Sequence, residues 1–321
     1  MTDMKILIDA FGSDNPDDFI LGIAKALREI DEVKLVVTGN KEYIENKLIG
    51  EDFDRNRLEI IHAEQVVTND DSPVEAIRKK RNSSLCVGLE ELKNRDDIGC
   101  MISAGNTGAV IAGAVLLLGR ASSQDRPTLL TILPNDKGGF TCLADCCANV
   151  DCKPHHLLKF GEYATEYCEK VLGVENPKVA LLSVGTEDKK GNALTKEAFA
   201  LLKESGLNFV GNMEAKTALL GDVDVIVADG FWGNVLLKSI EGTAKSVSMR
   251  MYGLLKKHAK TDGDMKFVKQ AMAELMSLLD FNSQGGAILL GAKKPIVKAH
   301  GSANANTVVN TVKQAIKICN M

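Results

Sequence analysis

Aromatic side chains are scarce in this chain, at 5% of residues with a single tryptophan. Proteins that grip single-stranded nucleic acid need rings on which bases stack, so the scarcity disfavours that class. Basic charge is short as well. The formal net charge is -4, whereas a nucleic-acid protein usually presents a basic face, so no nucleic-acid partner is expected. Long apolar runs are missing: the longest, 108–119, is too short to span a bilayer. The first ten residues carry acids and enter a short apolar run directly, unlike a secretory signal. The expectation is a soluble, cytoplasmic protein. Its 321 residues, 45% of them hydrophobic, are enough for a sizeable core, built as a single domain over 1–321 or as two lobes.

Catalytic signatures are missing too. The sequence holds no Gly-x-x-x-x-Gly-Lys-Ser/Thr phosphate loop and no His-Glu-x-x-His. No Gly-x-Gly-x-x-Gly follows the first strand, and no Gly-x-Ser-x-Gly nucleophile elbow occurs. Cysteine is not short. Eight are present, and Cys142, Cys146, Cys147 and Cys152 crowd together just before His155 and His156. The spacing fits none of the paired Cys-x-x-Cys metal patterns, so buried, reduced thiols are expected there, and no metal.

What is present is alternation. Short, often β-branched runs at 5–9, 34–38, 58–62, 100–103, 128–133, 140–144, 179–184, 208–210, 224–228 and 296–299 read as strands. Amphipathic stretches at 17–29, 74–80, 83–93, 108–118, 155–172, 193–204, 235–257, 266–279 and 307–318 read as helices. The pattern predicts an α/β protein with a mostly parallel sheet between helices. In such folds ligands bind outside the carboxyl ends of the strands. Five strand-to-helix turns there combine Gly with Ser, Thr, Asn or Asp, and so supply free N–H groups, a positive helix end and close backbone approach. They offer Asp9 and Gly12; Ser103, Gly105, Asn106, Thr107 and Gly108; Gly185 and Asn192; Asp229 and Gly233; and His300, Gly301 and Ser302. Any one of these turns would pass for an ordinary helix cap; the set points to a site for an anion, phosphate above all. Lys189, Lys190, Lys238 and His300 could add charge. The fourth turn is the oddest. It places Phe231 and Trp232 between Gly230 and Gly233, which are expected to fold the backbone tightly before a helix begins near Asn234.

The ordered set Ser-Ala-Gly-Asn-Thr-Gly-Ala, Lys-Lys-Gly-Asn, Asp-Gly-Phe-Trp-Gly-Asn-Val-Leu-Leu-Lys, Gln-Gly-Gly-Ala-Ile-Leu-Leu-Gly and Lys-Ala-His-Gly-Ser-Ala-Asn-Ala, together with 148–161, resembles the PlsX-type phosphate acyltransferases over nearly the whole chain. The resemblance implies a three-layer α/β/α sandwich related to isocitrate dehydrogenase and phosphotransacetylase, and a homodimer. It implies conversion of acyl–acyl-carrier-protein and inorganic phosphate to acyl phosphate for phospholipid synthesis, with no cofactor. The product would pass to a glycerol-3-phosphate acyltransferase, and the enzyme would be cytoplasmic or peripheral at the inner face of the cell membrane. The family's catalytic lysine and asparagine fall on Lys190 and Asn234. Without the motifs these would read as a solvated loop lysine and a helix N-cap. A helical projection around 246–280, with Met249, Met251, Leu254 and Leu255 among basic residues, would serve as lipid contact or as a dimer packing face.

Three positions depart from the family pattern: Ser13 and Cys147 stand where glycine is usual, and Thr186 where an acid is. They motivate two alternatives, a phosphotransacetylase-like enzyme using short acyl-coenzyme A and a degenerate, non-catalytic paralogue.

Overall fold

The protein is described by a computed structural model covering residues 4–31, 33–122, 126–279 and 285–319. The chain opens with β1 (Lys5–Asp9), α1 (Pro16–Glu29), β2 (Leu35–Gly39), α2 (Lys41–Lys47) and β3 (Leu58–His62). It continues through α3 (Pro73–Lys79), α4 (Ser84–Asn94), β4 (Ile98–Ser103), α5 (Thr107–Gly113) and β5 (Thr128–Pro134). Then come β6 (Phe140–Ala144), α6 (Pro154–Lys170), β7 (Val179–Ser183), α7 (Ala193–Glu204), β8 (Phe209–Glu214) and β9 (Val225–Val227). The last elements are α8 (Gly230–His258), α9 (Asp262–Leu278), β10 (Ala287–Leu290), β11 (Ile296–Lys298) and α10 (Ala305–Cys319).

Two compact units result, the first from residues 1–131, 162–176 and 284–321, the second from 132–161 and 177–283. In the first, the strand order is β3-β2-β1-β4-β11-β10-β5. Every pair from β3 to β11 is parallel, and β10 alone runs antiparallel to its neighbours. The strands β1, β2 and β4 are buried along nearly their whole length, which is why they read as continuous apolar runs rather than alternating ones. The helices α1 and α10 cross closely: a Cβ on Gly22 would lie 2.8 Å from Val308 Cβ. In the second unit the order is β6-β9-β7-β8, all parallel.

Helix starts follow local chemistry. Asn15, Asn192 and Asp229 cap α1, α7 and α8 with side-chain oxygens, and Thr261 and Asp264 form a reciprocal capping box on α9. The strand β10 was not among the sequence expectations, although its residues lie inside the Gln284–Gly291 motif; Gln284 is outside the described residues. The start of α8 also differs from expectation. The helix begins at Gly230, not near Val235, because Asp229 Oδ1 accepts the N–H groups of both Phe231 and Trp232. The Gly-Phe-Trp-Gly stretch is therefore the helix's first turn.

Candidate active site

In the first unit, Asp9, Ser103 and Lys298 end three adjacent strands in one register row, with Thr38 beside Asp9 on β2. All four are buried. Ser103 Oγ donates to Asp9 Oδ2 at 2.8 Å, the Phe11 N–H donates to Asp9 Oδ1 at 3.3 Å, and the Gly105 N–H donates to Ser103 Oγ at 3.2 Å. The carboxylate thus fastens both glycine turns. Burial pushes the Asp9 pKa up to about 6, against the hydrogen bonds from Ser103 and the Phe11 N–H and the nearby positive charge of Lys298. Gly12 has φ +123°, and a Cβ there would lie 2.7 Å from Gly105 Cα, so the two turns touch through their glycines. Ser13 carries no positive φ, so its Cβ costs the loop nothing in backbone conformation.

The neighbouring polar residues are already occupied. Asn106 caps α5 through the Ala109 N–H at 3.1 Å, and its amide group reaches the carbonyls of Thr68, Asn69 and Asp71. Thr107 and Gly108 open that helix, and a Cβ on Gly108 would lie 2.7 Å from Pro73 Cγ. His300 Nδ1 receives the Ser302 N–H at 3.2 Å and faces Ser302 Oγ at 2.7 Å, which leaves the ring proton on Nε2. The Gly301 carbonyl accepts the Asp14 N–H at 2.8 Å.

The second unit gathers the remaining candidates. The loop 185–192 joins β7 to α7, and a Cβ on Gly185 would lie 3.1 Å from Lys190 Cγ. The lysine stem therefore lies across that glycine. Lys203, Lys216 and Lys238 each pair with an acid, at 3.0, 2.7 and 2.7 Å; Lys190, exposed, has no such partner among the described residues. Asn192 Oδ1 takes the Thr195 N–H at 2.9 Å to cap α7. A cavity of about 610 Å³ opens beside this loop, and Asn192, Asp229 and Trp232 line it. Lys190, Gly185, Gly233 and Asn234 do not.

Asn234 is half-buried in the second turn of α8. The cap belongs to Asp229, so Asn234's side chain makes no capping bond. Trp232, Val235, Leu236 and Ser239 form the helix stripe that lines the cavity. At 3.6 residues per turn Asn234 lies about 200° round the helix from Trp232, on the opposite flank. The two glycines serve close packing and not a turn. A Cβ on Gly230 would lie 2.7 Å from Asn149 N, and one on Gly233 only 1.9 Å from Asp145 O. They let α8 press on the loop after β6, where Asp145 Oδ2 holds Asn149 through both its backbone and side-chain nitrogens at 2.6 and 2.9 Å. Cys147, within that loop, has φ +93°, a conformation glycine favours. Cys142 and Cys146 are buried, Cys152 is half-buried and Cys147 is exposed. Among the described residues no group of three or more His, Cys, Asp or Glu is placed to hold a metal ion.

Sequence reasoning missed Lys298 and Ser183. Lys298 opens the Lys-Ala-His-Gly-Ser-Ala-Asn-Ala motif, and a lysine ending an apolar strand is the signal that marks it. Ser183 ends β7 and lines the cavity, with a buried hydroxyl that has no partner among the described residues.

Among solved structures, the fold is similar to the EutD phosphotransacetylase from Staphylococcus aureus (TM-score 0.64, 14% identity, covering 100% of this chain and 94% of that one). It is also similar to a branched-chain phosphotransacylase from Enterococcus faecalis V583 (TM-score 0.59, 16% identity, 98% and 99%). At those identities the likeness concerns the fold alone. Sequence relatives are nearer. The phosphate acyltransferase of Clostridioides difficile (strain 630) is 43% identical over 315 residues, 98% of this chain and 92% of the relative. That of Alkaliphilus oremlandii (strain OhILAs) is also 43% identical over 315 residues, 98% and 93%. Residues 4–321 match the fatty acid synthesis protein family. With relatives this similar over this much of its length, the chain belongs to that family, the PlsX-type phosphate acyltransferases.

Proposed function

We propose that the protein transfers an acyl group from the thioester of acyl carrier protein to inorganic phosphate, giving acyl phosphate for phospholipid synthesis. The observation that carries this reading is the loop 185–192. It presents an unpaired lysine over a glycine, at the start of a helix and at the edge of an apolar cavity, in a chain 43% identical to a phosphate acyltransferase.

The chemistry needs little more from the protein. A phosphate oxygen is already a competent nucleophile at neutral pH. It adds to the thioester carbonyl, the tetrahedral oxyanion collapses, the C–S bond breaks, and the thiolate leaves and takes up a proton. Work remains in holding phosphate against the carbonyl and in stabilising the oxyanion. Lys190 supplies positive charge for either task and Asn234 an amide donor. The buried Asp9–Ser103 pair fixes the two glycine turns of the first unit.

The test is thiol release from hexadecanoyl-carrier-protein and from acetyl-coenzyme A, each with and without phosphate. Phosphate-dependent release from the carrier-protein donor is expected, reduced on the order of 100-fold in Lys190→Ala and in Asn234→Ala. Selective use of acetyl-coenzyme A would replace the donor, and release indifferent to phosphate would reject the reading. The same proposal includes a homodimer, a cytoplasmic location with peripheral contact at the inner membrane face, and hand-over of the product to a glycerol-3-phosphate acyltransferase. Exposed Val247, Met249, Leu254, Phe267 and Leu278 on α8 and α9 support a covered apolar face there. Among the described residues no helix is long and apolar enough to cross a membrane.

A further inference from the structure

Two cysteines that the acyl-transfer chemistry does not use meet inside the first unit. Cys100 lies on β4 and is fully buried; Cys319 is the last residue of α10 and is half-buried. The pairing of β1 with β4 slips at this point: Lys5 faces Ile98 and Ile6 faces Cys100, so Gly99 is one residue extra. Such a bulge breaks the alternation of side chains, and Gly99 and Cys100 both meet Cys319. A Cβ on Gly99 would lie 2.8 Å from Cys319 Sγ and 3.3 Å from its Cβ, and the two thiols hydrogen-bond to each other. Cys319 also lines a cavity of about 360 Å³, with Met4, Ala121, Tyr163, Leu290 and Ile318. A small solute can therefore reach Cys319, whereas Cys100 is not part of that lining. The hydrogen bond from Cys100 holds the Cys319 thiol below its usual range, against burial, and the ammonium of Lys294 adds to the effect. Lys294 is fixed there by the Arg95 and Ile98 carbonyls, at 2.7 and 2.8 Å. The same hydrogen bond, together with burial, pushes the Cys100 thiol well up. The carboxyl end of α10 opposes a thiolate at Cys319, but Glu166, the acid on the cavity wall, is paired with Lys170 at 2.6 Å. Cys319 is thus the nucleophile of the pair and Cys100 the holder of the proton.

We propose that Cys319 and Cys100 form an oxidation site for small hydroperoxides, and that the resulting disulfide staples the end of α10 to β4. The Cys319 sulfur attacks the terminal oxygen of the hydroperoxide. An S–O bond forms, the O–O bond breaks, and the departing oxygen takes the Cys319 proton and leaves as an alcohol, or as water from hydrogen peroxide. The Cys100 sulfur then attacks the Cys319 sulfur of the sulfenic acid. The S–S bond forms, the S–O bond breaks, and the hydroxyl leaves as water with the Cys100 proton. The two sulfurs give up two electrons, and the peroxide bond accepts them. A link between positions 100 and 319 closes most of the chain into one loop, which restricts the unfolded state more than the folded one. Neither cysteine is assigned to acyl transfer, so the proposal goes beyond the functional reading and stands or falls apart from it.

The test is peptide mapping of the folded, full-length protein after treatment with hydrogen peroxide, with the remaining thiols blocked by a maleimide before digestion. Trypsin separates the two cysteines into peptides 96–120 and 318–321, each with no other cysteine. The expected product is the two peptides joined, two hydrogens lighter than their sum, lost on reduction with dithiothreitol and never formed in Cys319→Ser. In Cys100→Ala the reaction is expected to stop at a Cys319 sulfenic acid, which dimedone captures; the map of the unaltered protein decides even where that variant fails to fold. The melting temperature of the oxidised protein is expected to rise by at least about 3 °C and to fall back with dithiothreitol, and Cys319→Ser is expected to show no such rise. Four results overturn the proposal. They are maleimide on both Cys100 and Cys319 after exposed Cys147 has been oxidised, a Cys319 bond to a different cysteine or to a second chain, no dimedone adduct in folded Cys100→Ala, and a melting temperature that dithiothreitol does not lower. Thiol release from acyl donors tests the functional reading separately, and its outcome leaves this map unchanged.

Discussion

Single side chains here work against their surroundings in ways that can be weighed. Asp9 is 2% exposed, and burial raises its pKa from 3.8 to about 6 in the folded protein. A carboxyl whose folded pKa lies above its unfolded one penalises folding fully above the folded value and not at all below the unfolded one. The penalty is on the order of 3 kcal/mol. Stability from this group therefore falls as pH rises from about 4 to about 6. Asp9→Asn cannot ionise, and urea midpoints measured across that range are expected to lose this downward slope. Cys147 sits at φ +93°. A side chain in left-handed backbone costs ~1–2 kcal/mol, while glycine gives back ~0.5–1 kcal/mol in chain entropy. The strain is the larger, so Cys147→Gly is expected to stabilise the fold by up to about 1 kcal/mol in urea unfolding.

At the scale of elements, α8 shows where a sequence misleads. Gly230-Phe231-Trp232-Gly233 has the composition of a turn, yet it is helical because Asp229 satisfies its first N–H groups and because both glycines press against the loop after β6. Helix propensity alone says Gly233→Ala gains about 1 kcal/mol. The added Cβ would stand 1.9 Å from Asp145 O, and such overpacking costs about 1–3 kcal/mol. We expect a net loss of thermal stability, together with reduced turnover, since Asn234 follows directly. The strands β1, β2 and β4 were legible because burial along nearly their whole length makes them apolar runs; β10 escaped because glycines flank it and it is four residues long. The candidate turns were legible through Gly with Ser, Asn and Asp. Their grouping was not, because register is a property of pairing: nothing within Ile296–Lys298 says that Lys298 lies beside Ser103.

For the molecule as a whole, phosphate that binds the folded form and not the unfolded chain raises stability by mass action, by about 2.7 kcal/mol at 100 times its dissociation constant. Melting temperature is expected to climb with phosphate concentration and to climb less in Lys190→Ala; equal gains in both would remove Lys190 from phosphate binding. Apolar exposure on α8 and α9 predicts sedimentation with anionic vesicles, diminished in Leu254→Glu. Leu254 is 62% exposed, so that change leaves the core untouched.

The first unit closes its sheet with residues from the far end of the chain. The strands β10 and β11 sit between β5 and β4, and α10 packs on α1. On the ribosome this imposes an order of events. Residues 132–161 and 177–283 all emerge before β10 does, so the second unit can fold while β4 still lacks β11 and β5 still lacks β10. Those open edges persist until the last stretch of translation. Chains that terminate early at 283 carry a complete second unit tethered to an unfinished sheet, and they are the products expected to aggregate in the cell.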